Sequence, residues 1–343
     1  AADGGDRAEG AVAAARPALD RAGEVEADQV VFRQIGRRPR LAMAREIRAK
    51  VSAEAVVRAV ERLFDLSPVP GSDIDEFTFP ALPSTSRARI FGGQVIAQAL
   101  EAAARTVDAD KRAHSLHAYF LRGGDETKAL HFRVHRDFDG RSFANRRVVV
   151  RQEGKVIFNL TASFQTPADG PSHQVPMPDV LPPERCWSFE DAIAHDPTLS
   201  DRMIANMARQ RAFEIRTHRP VGTGATHHYQ WLRVAAPIAD DARVHMGFLA
   251  FASDMGLLST SLLPHGMNWT TPGLFTTSLD HAMWFHADIR VDDWFVYVMD
   301  SGWTGGSRGI NRGLIYRRDG TLIASAMQEG LLRITPPAPG ASA

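Results

Sequence analysis

Apolar residues recur at helical spacing from Ser52 onward, at Ala55, Val56, Ala59, Val60, Leu63 and Phe64, and Ser52 is placed to cap the helix they imply. A second helical pattern follows Gly92-Gly93. Over residues 94–105, Ile96, Ala99, Leu100 and Ala103 share one face and alanines fill much of the rest, so this helix is expected to be buried. The chain then changes period. Residues 114–122, 130–137, 145–152 and 155–165 read as strands, with turn signals at Gly123-Gly124, Asp139-Gly140 and Glu153-Gly154. Connections this short predict an antiparallel meander. Prolines 167, 171, 176, 178, 182 and 183 end the pattern, and a helical segment spans roughly residues 189–209.

The chain then repeats itself. Setting residues 142–158 against 308–324, an offset of 166, matches Asn145 with Asn311, Arg146 with Arg312, Arg151 with Arg317, Gly154 with Gly320 and Ile157 with Ile323. Upstream, at an offset of 164, His117-Ala118 matches His281-Ala282. The same order of features at nearly one offset implies a duplicated unit. Two helix-then-meander units can pair edge to edge and so hide the strand edges each would expose alone. The organisation expected is an extension at 1–50, a first unit with its leading helix at 51–166, a proline-rich linker with a surface helix at 167–210, a second unit at 211–336 and a tail at 337–343.

Composition narrows the function classes. Forty basic residues balance forty acidic ones in 343, so overall charge gives no reason to expect nucleic acid as a partner. A single cysteine, Cys186, excludes an internal disulfide and fits a reducing compartment. No apolar run approaches the ~20 residues of a membrane span. Acids at Asp3, Asp6, Glu9 and Asp20 argue against a transit peptide, and the ending Pro-Gly-Ala-Ser-Ala is no peroxisomal address, so a cytoplasmic location is expected.

Where duplicated halves differ, one copy can carry chemistry. Ala252-Ser253-Asp254, taken to open the second buried helix, stands where the first half has Phe91-Gly92-Gly93-Gln94, so a carboxylate replaces glycine. Asp254 is either a helix cap or a general base that deprotonates a water. Ser278, before Leu279-Asp280-His281, and Gln328, on the last strand, are the further candidates. Each also has a structural reading: Ser278 satisfying a neighbouring backbone group, and Gln328 lying on an edge strand or repeating a feature that Gln165 shows in the first half. His218, His227, His228, His281 and His286 form no metal-ligand motif, and His281 and His286 fall on opposite strand faces. Gly302-Trp303-Thr304-Gly305-Gly306-Ser307 lacks the ending of a phosphate loop and reads as a tight strand connection. No Gly-x-Ser-x-Gly elbow supports a covalent serine mechanism.

Phe91-Gly92-Gly93-Gln94, residues 114–122, Ser163-Phe164-Gln165, Ala252-Ser253-Asp254, residues 279–286 and Gln328-Glu329-Gly330 together resemble the type II acyl-CoA thioesterase family, the bacterial TesB and peroxisomal group, from about Val51 to Arg333. The resemblance implies an α+β double hotdog, each half a helix wrapped by a curved antiparallel sheet. It implies hydrolysis of fatty acyl-CoA, with Asp254, Ser278 and Gln328 holding the attacking water, and Thr276 or Thr277 as the alternative hydroxyl. It implies no metal and no other cofactor, acyl-CoA as the partner, and leaves room for a homo-oligomer. Hotdog folds also host acyl-CoA hydratases, dehydratases and noncatalytic binders, so fold alone does not choose among them.

Overall fold

The computed structural model describes residues 57, 62–81, 89–195, 212–218, 227–269 and 271–335. The expected extension and tail lie outside these residues, as does the expected linker helix beyond residue 195. Of the helix expected from Ser52, Val57, Arg62 and Leu63 are described and helical.

After two short strands, β1 (Ser67–Pro68) and β2 (Glu76–Phe79), helix α1 (Gly92–Ala104) buries the alanine-rich surface read from its sequence. Small side chains at Ala97, Ala99, Ala102 and Ala103 let it lie close against the strands that follow: β3 (Arg112–Phe120), β4 (Leu130–Asp139), β5 (Phe143–Gln152) and β6 (Lys155–Gln165). The proline-rich stretch carries no strand and one 3₁₀ turn, Pro183–Arg185, before helix α2 (Phe189–His195). The second half contains β7 (Phe213–Thr217), β8 (His227–Val234), α3 (Ala242–Ala252), a 3₁₀ segment (Leu257–His265), β9 (Leu274–Ser278), β10 (Asp280–Phe285), β11 (Phe295–Gly305), β12 (Arg308–Arg317) and β13 (Leu322–Ile334).

All strands join one sheet in the order β1-β2-β4-β5-β6-β3-β10-β13-β12-β11-β8-β7, with β9 paired to β13. The expected meander holds for β4-β5-β6, but β3 lies beside β6 rather than β4. Residues 121–129 make a connection long enough to cross over, unlike the hairpins that follow. The second half repeats this order as β11-β12-β13 with β10 beside β13. The two halves meet edge to edge through β3 and β10, where Ala118 faces His281 and Leu116 faces Met283. This is the double-hotdog arrangement.

The second half departs from expectation at its wrapped element. The segment packed on β11, β12 and β13 is the 3₁₀ run Leu257–His265, not a regular α-helix. Gly256 enters it in the left-handed region at φ 83°, and Pro264 sits inside it. The preceding helix α3, capped by the Asp241 side chain on the Arg243 amide, packs instead on α1. With the 3₁₀ run it forms the one stretch among the described residues, Ala242–His265, that is long and apolar enough to match a membrane span, which corrects the expectation that no run approaches that length; 67% of its most apolar window is buried inside the protein.

The repeat itself is displaced by one residue in part of its length. Buried Phe158, Leu160, Ala162 and Phe164 of β6 correspond to buried Ala324, Ala326, Gln328 and Gly330 of β13 at an offset of 166. In β5 and β12 the buried positions, Ala144, Arg146 and Val148 against Gly309, Asn311 and Gly313, correspond at 165. The cause is the turn: the Arg151–Val156 pair closes over residues 152–155, while the Tyr316–Leu322 pair closes over residues 317–321. The Asn-Arg identity therefore joins residues on opposite faces, because a one-residue slip inverts every side chain of a strand. Arg146 is 1% exposed, whereas the Arg312 side chain is 59% exposed and paired with Asp300.

Candidate active site

Asp254 lies in the link between α3 and the 3₁₀ run, which corrects the expectation that it opens a regular helix. It caps neither element of its own half: Gly256 holds the cap position of the 3₁₀ run, without a side-chain bond. Its Oδ2 instead accepts from the Gly93 amide of α1 at 2.9 Å, 161 residues away in sequence. Helix α1 has no side-chain cap of its own, so a carboxylate from the other half supplies one and faces the positive end of the helix dipole.

The approach needs both glycines. A Cβ on Gly92 would stand 2.7 Å from Asp254 Oδ2, and one on Gly93 would stand 2.3 Å from the Phe251 carbonyl oxygen.

Gln328 donates from Nε2 to Asp254 Oδ1 at 2.6 Å. It is fully buried on β13, between β10 and β12, which excludes the edge-strand reading. Its Oε1 has no hydrogen-bond partner. The same Nε2 lies 3.2 Å from His281 Nδ1, and His281 Nε2 lies 2.8 Å from Ser253 Oγ, which donates to the Ala250 carbonyl. Asn311 Nδ2 donates to the Gln328 carbonyl, and the Tyr297 hydroxyl donates to the Ser253 carbonyl, fixing the backbone on both sides.

Burial sets the electrostatics. Asp254 as a residue keeps some surface, but its carboxyl group is enclosed, and desolvation raises its pKa from 3.8 to about 6 against the opposing bonds from Gln328 and Gly93. Desolvation also holds His281 neutral, lowering its pKa to about 3. Tyr297 is pushed well above its ordinary value by burial and by the nearby Asp254 charge.

Ser278 ends β9 directly opposite Gly330 on β13. Paired residues share a face, as do Gly330 and Gln328 two positions apart, so Ser278 is a diagonal neighbour of Gln328, about 7–8 Å away between Cα atoms. Thr277 pairs with Leu331 and takes the opposite face; Thr276 pairs with Leu332, one step farther from Gln328.

The two halves differ sharply at this point. Aligning β6 with β13 sets Ala162 against Gln328, so Gln165 is not its counterpart. The residue paired with Ala162 is Leu116, fully buried, and it corresponds to His281. A polar chain in the second half thus replaces an apolar contact in the first. The sequence reading missed Ser253, His281 and Tyr297, since a histidine preceding alanine in both halves looked like a shared fold feature. His117, its match by identity, faces outward against Trp284.

Among the described residues no group of three histidines, cysteines or carboxylates could hold a metal ion. His286 reaches Ser325 Oγ, and His218 stacks on Tyr229.

A family model described as "Acyl-CoA thioesterase" matches residues 202–331, and one described as "Acyl-CoA thioesterase N-terminal domain" matches residues 81–165. Human acyl-coenzyme A thioesterase 8 is 40% identical over 262 residues, covering 72% of this chain and 82% of that protein. Acyl-CoA thioesterase 2 of Haemophilus influenzae is 35% identical over 254 residues, covering 72% and 88%. Among solved structures, the acyl-CoA thioesterase II TesB2 of Mycobacterium marinum is similar with a TM-score of 0.67 and 35% identity, covering 81% of this chain and all of that one.

Proposed function

Because the chain belongs to the type II acyl-CoA thioesterase family, a family of thioester hydrolases, we propose that it releases free fatty acid and CoA from fatty acyl-CoA through a water held by Asp254, Ser278 and Gln328. The observation that carries this reading is the 2.6 Å contact between Gln328 Nε2 and Asp254 Oδ1, which gathers a buried carboxylate and an amide in only one half of a duplicated fold.

The thioester carbonyl is already electrophilic, since sulfur donates poorly into it, so an oriented water and a modest base suffice. With a pKa of about 6, Asp254 is ionised at neutral pH yet basic enough to take a proton as the water oxygen bonds to the carbonyl carbon. Collapse of the tetrahedral intermediate breaks the carbon–sulfur bond, and the proton held by Asp254 passes to the departing thiolate. The Ser278 hydroxyl orients the water from β9. Amides around the start of the 3₁₀ run could face an oxyanion, but Met255 and Ser259 already donate to the Ala252 and Gly256 carbonyls. The positive end of the α1 dipole, whose Gly93 amide already bonds Asp254, is a further source of stabilisation.

Thiol release from palmitoyl-CoA tests the proposal. Wild type should release thiol and Asp254→Asn should lose about 10²–10⁴-fold. Hydration of an enoyl-CoA without thiol release, or tight binding without turnover, would refute it.

A further inference from the structure

The buried chain Ala250–Ser253–His281–Gln328–Asp254 can be read in only one direction. The Ala250 carbonyl can only accept, so the single proton of the Ser253 hydroxyl is committed to it at 2.8 Å. Ser253 Oγ must then accept from His281 Nε2–H, which leaves His281 Nδ1 bare. A bare Nδ1 at 3.2 Å requires the Gln328 amide to present its NH₂ there, and the second proton of that NH₂ goes to Asp254 Oδ1. A flipped amide would set Oε1 against both the carboxylate and the imidazole lone pair, two repulsive contacts.

We propose that His281 is a positioning residue: held in one tautomer by Ser253, it locks the Gln328 amide so that NH₂ faces Asp254 and Oε1 is left as a free acceptor. This rests on the reading of Asp254 as the base. It gives a use to the unpartnered, fully buried Oε1. A water donating its protons to Asp254 and to Gln328 Oε1 would keep its lone pairs for the carbonyl carbon, which a flipped amide would forbid. The first half shows the contrast, where Leu116 and Ala162 occupy the corresponding positions and no such lock exists.

The titratable groups packed around Asp254 are few. Tyr297 approaches from β11 and His281 from β10, both neutral across the working range, while α1 contributes the Gly93 amide and the 3₁₀ run begins with Leu257 and Leu258. The acid limb of the rate profile therefore reports Asp254, and it is sensitive to the hydrogen bond from Gln328, which lowers that pKa.

The test is the pH dependence of kcat/KM for palmitoyl-CoA in His281→Leu, a side chain that the first half accommodates at the equivalent place. Loss of the lock should lower kcat by about 10–100-fold with little change in KM. It should also move the acid limb to higher pH by about one unit. His281→Gln, which offers a carbonyl to Gln328 and an NH₂ to Ser253, should recover part of both. A purely structural histidine would reduce thermal stability without moving the limb. Should His281→Leu fail to fold, Ser253→Ala serves instead: it frees the tautomer, and a displaced limb supports the lock while an unmoved one overturns it.

A wild type without an acid limb near pH 6, or an active Asp254→Asn, would overturn the base reading and the lock with it. An acid limb that stays in place in both His281→Leu and Ser253→Ala, with kcat within about twofold of wild type, would overturn the lock alone.

Discussion

Replacing Asp254 by Asn should sacrifice activity and gain stability, and the gain should depend on pH in a way that isolates this one carboxyl. In the folded protein its pKa is raised from 3.8 to about 6, chiefly by burial. An acid with a raised native pKa binds its proton more tightly when folded, so stability falls as pH rises between the two values. The slope reaches about 1.4 kcal/mol per pH unit, and the whole window sums to about 3 kcal/mol. The penalty is absent below the unfolded value and complete above the folded one. Asparagine does not titrate.

The Asn amide brings its own cost, because its NH₂ must face either Gln328 Nε2 or the Gly93 amide, both donors. That cost is the same at every pH and cancels from the comparison. Urea denaturation of both proteins from about pH 4 to about pH 7.5 should therefore show the stability of Asp254→Asn minus that of wild type rising by up to about 3 kcal/mol. All other carboxylates titrate in both proteins and drop out. A difference that is flat across this range, or that falls with pH, would refute the reasoning.

Three further outcomes follow from the geometry. Gly93→Ala should destabilise by about 1–3 kcal/mol in thermal unfolding, because its Cβ meets the Phe251 backbone, whereas Gly92→Ala meets the Asp254 side chain and should reduce thiol release more than stability. Arg146→Ala should cost about 3–5 kcal/mol by denaturant titration, since its buried guanidinium bonds Thr106, Phe138, Asn145 and Asp139, while exposed Arg312→Ala should stay within about 1 kcal/mol. Ser278→Ala should lose about 10–100-fold in kcat, Ser278→Thr should retain most of it, and Thr277→Ala, on the opposite face, should leave kcat unchanged.

Local pattern carried much of the fold because local physics decided it. The alanine face of α1, the Glu153-Gly154 turn with both residues at positive φ and the alternation along β6 are properties of neighbouring residues. Helix α3 also has local signals, Asp241 at its cap with Val244, Phe248 and Phe251 at helical spacing. Resemblance to a family named three separate candidates, Asp254, Ser278 and Gln328, but gave nothing of their arrangement.

The sequence by itself determined that the chain is duplicated and that each half is a helix with strands. It could not determine the register of the copies, because one extra residue in the β12–β13 turn turns a matched pair such as Arg146 and Arg312 to opposite faces. Only the tertiary structure decided that Asp254 completes the start of α1 from the opposite half, that Gln328 meets it there and that His281 backs Gln328. Those contacts span 161, 74 and 47 residues, distances over which hydrogen bonding depends on how sheets and helices pack and leaves no periodic trace along the chain.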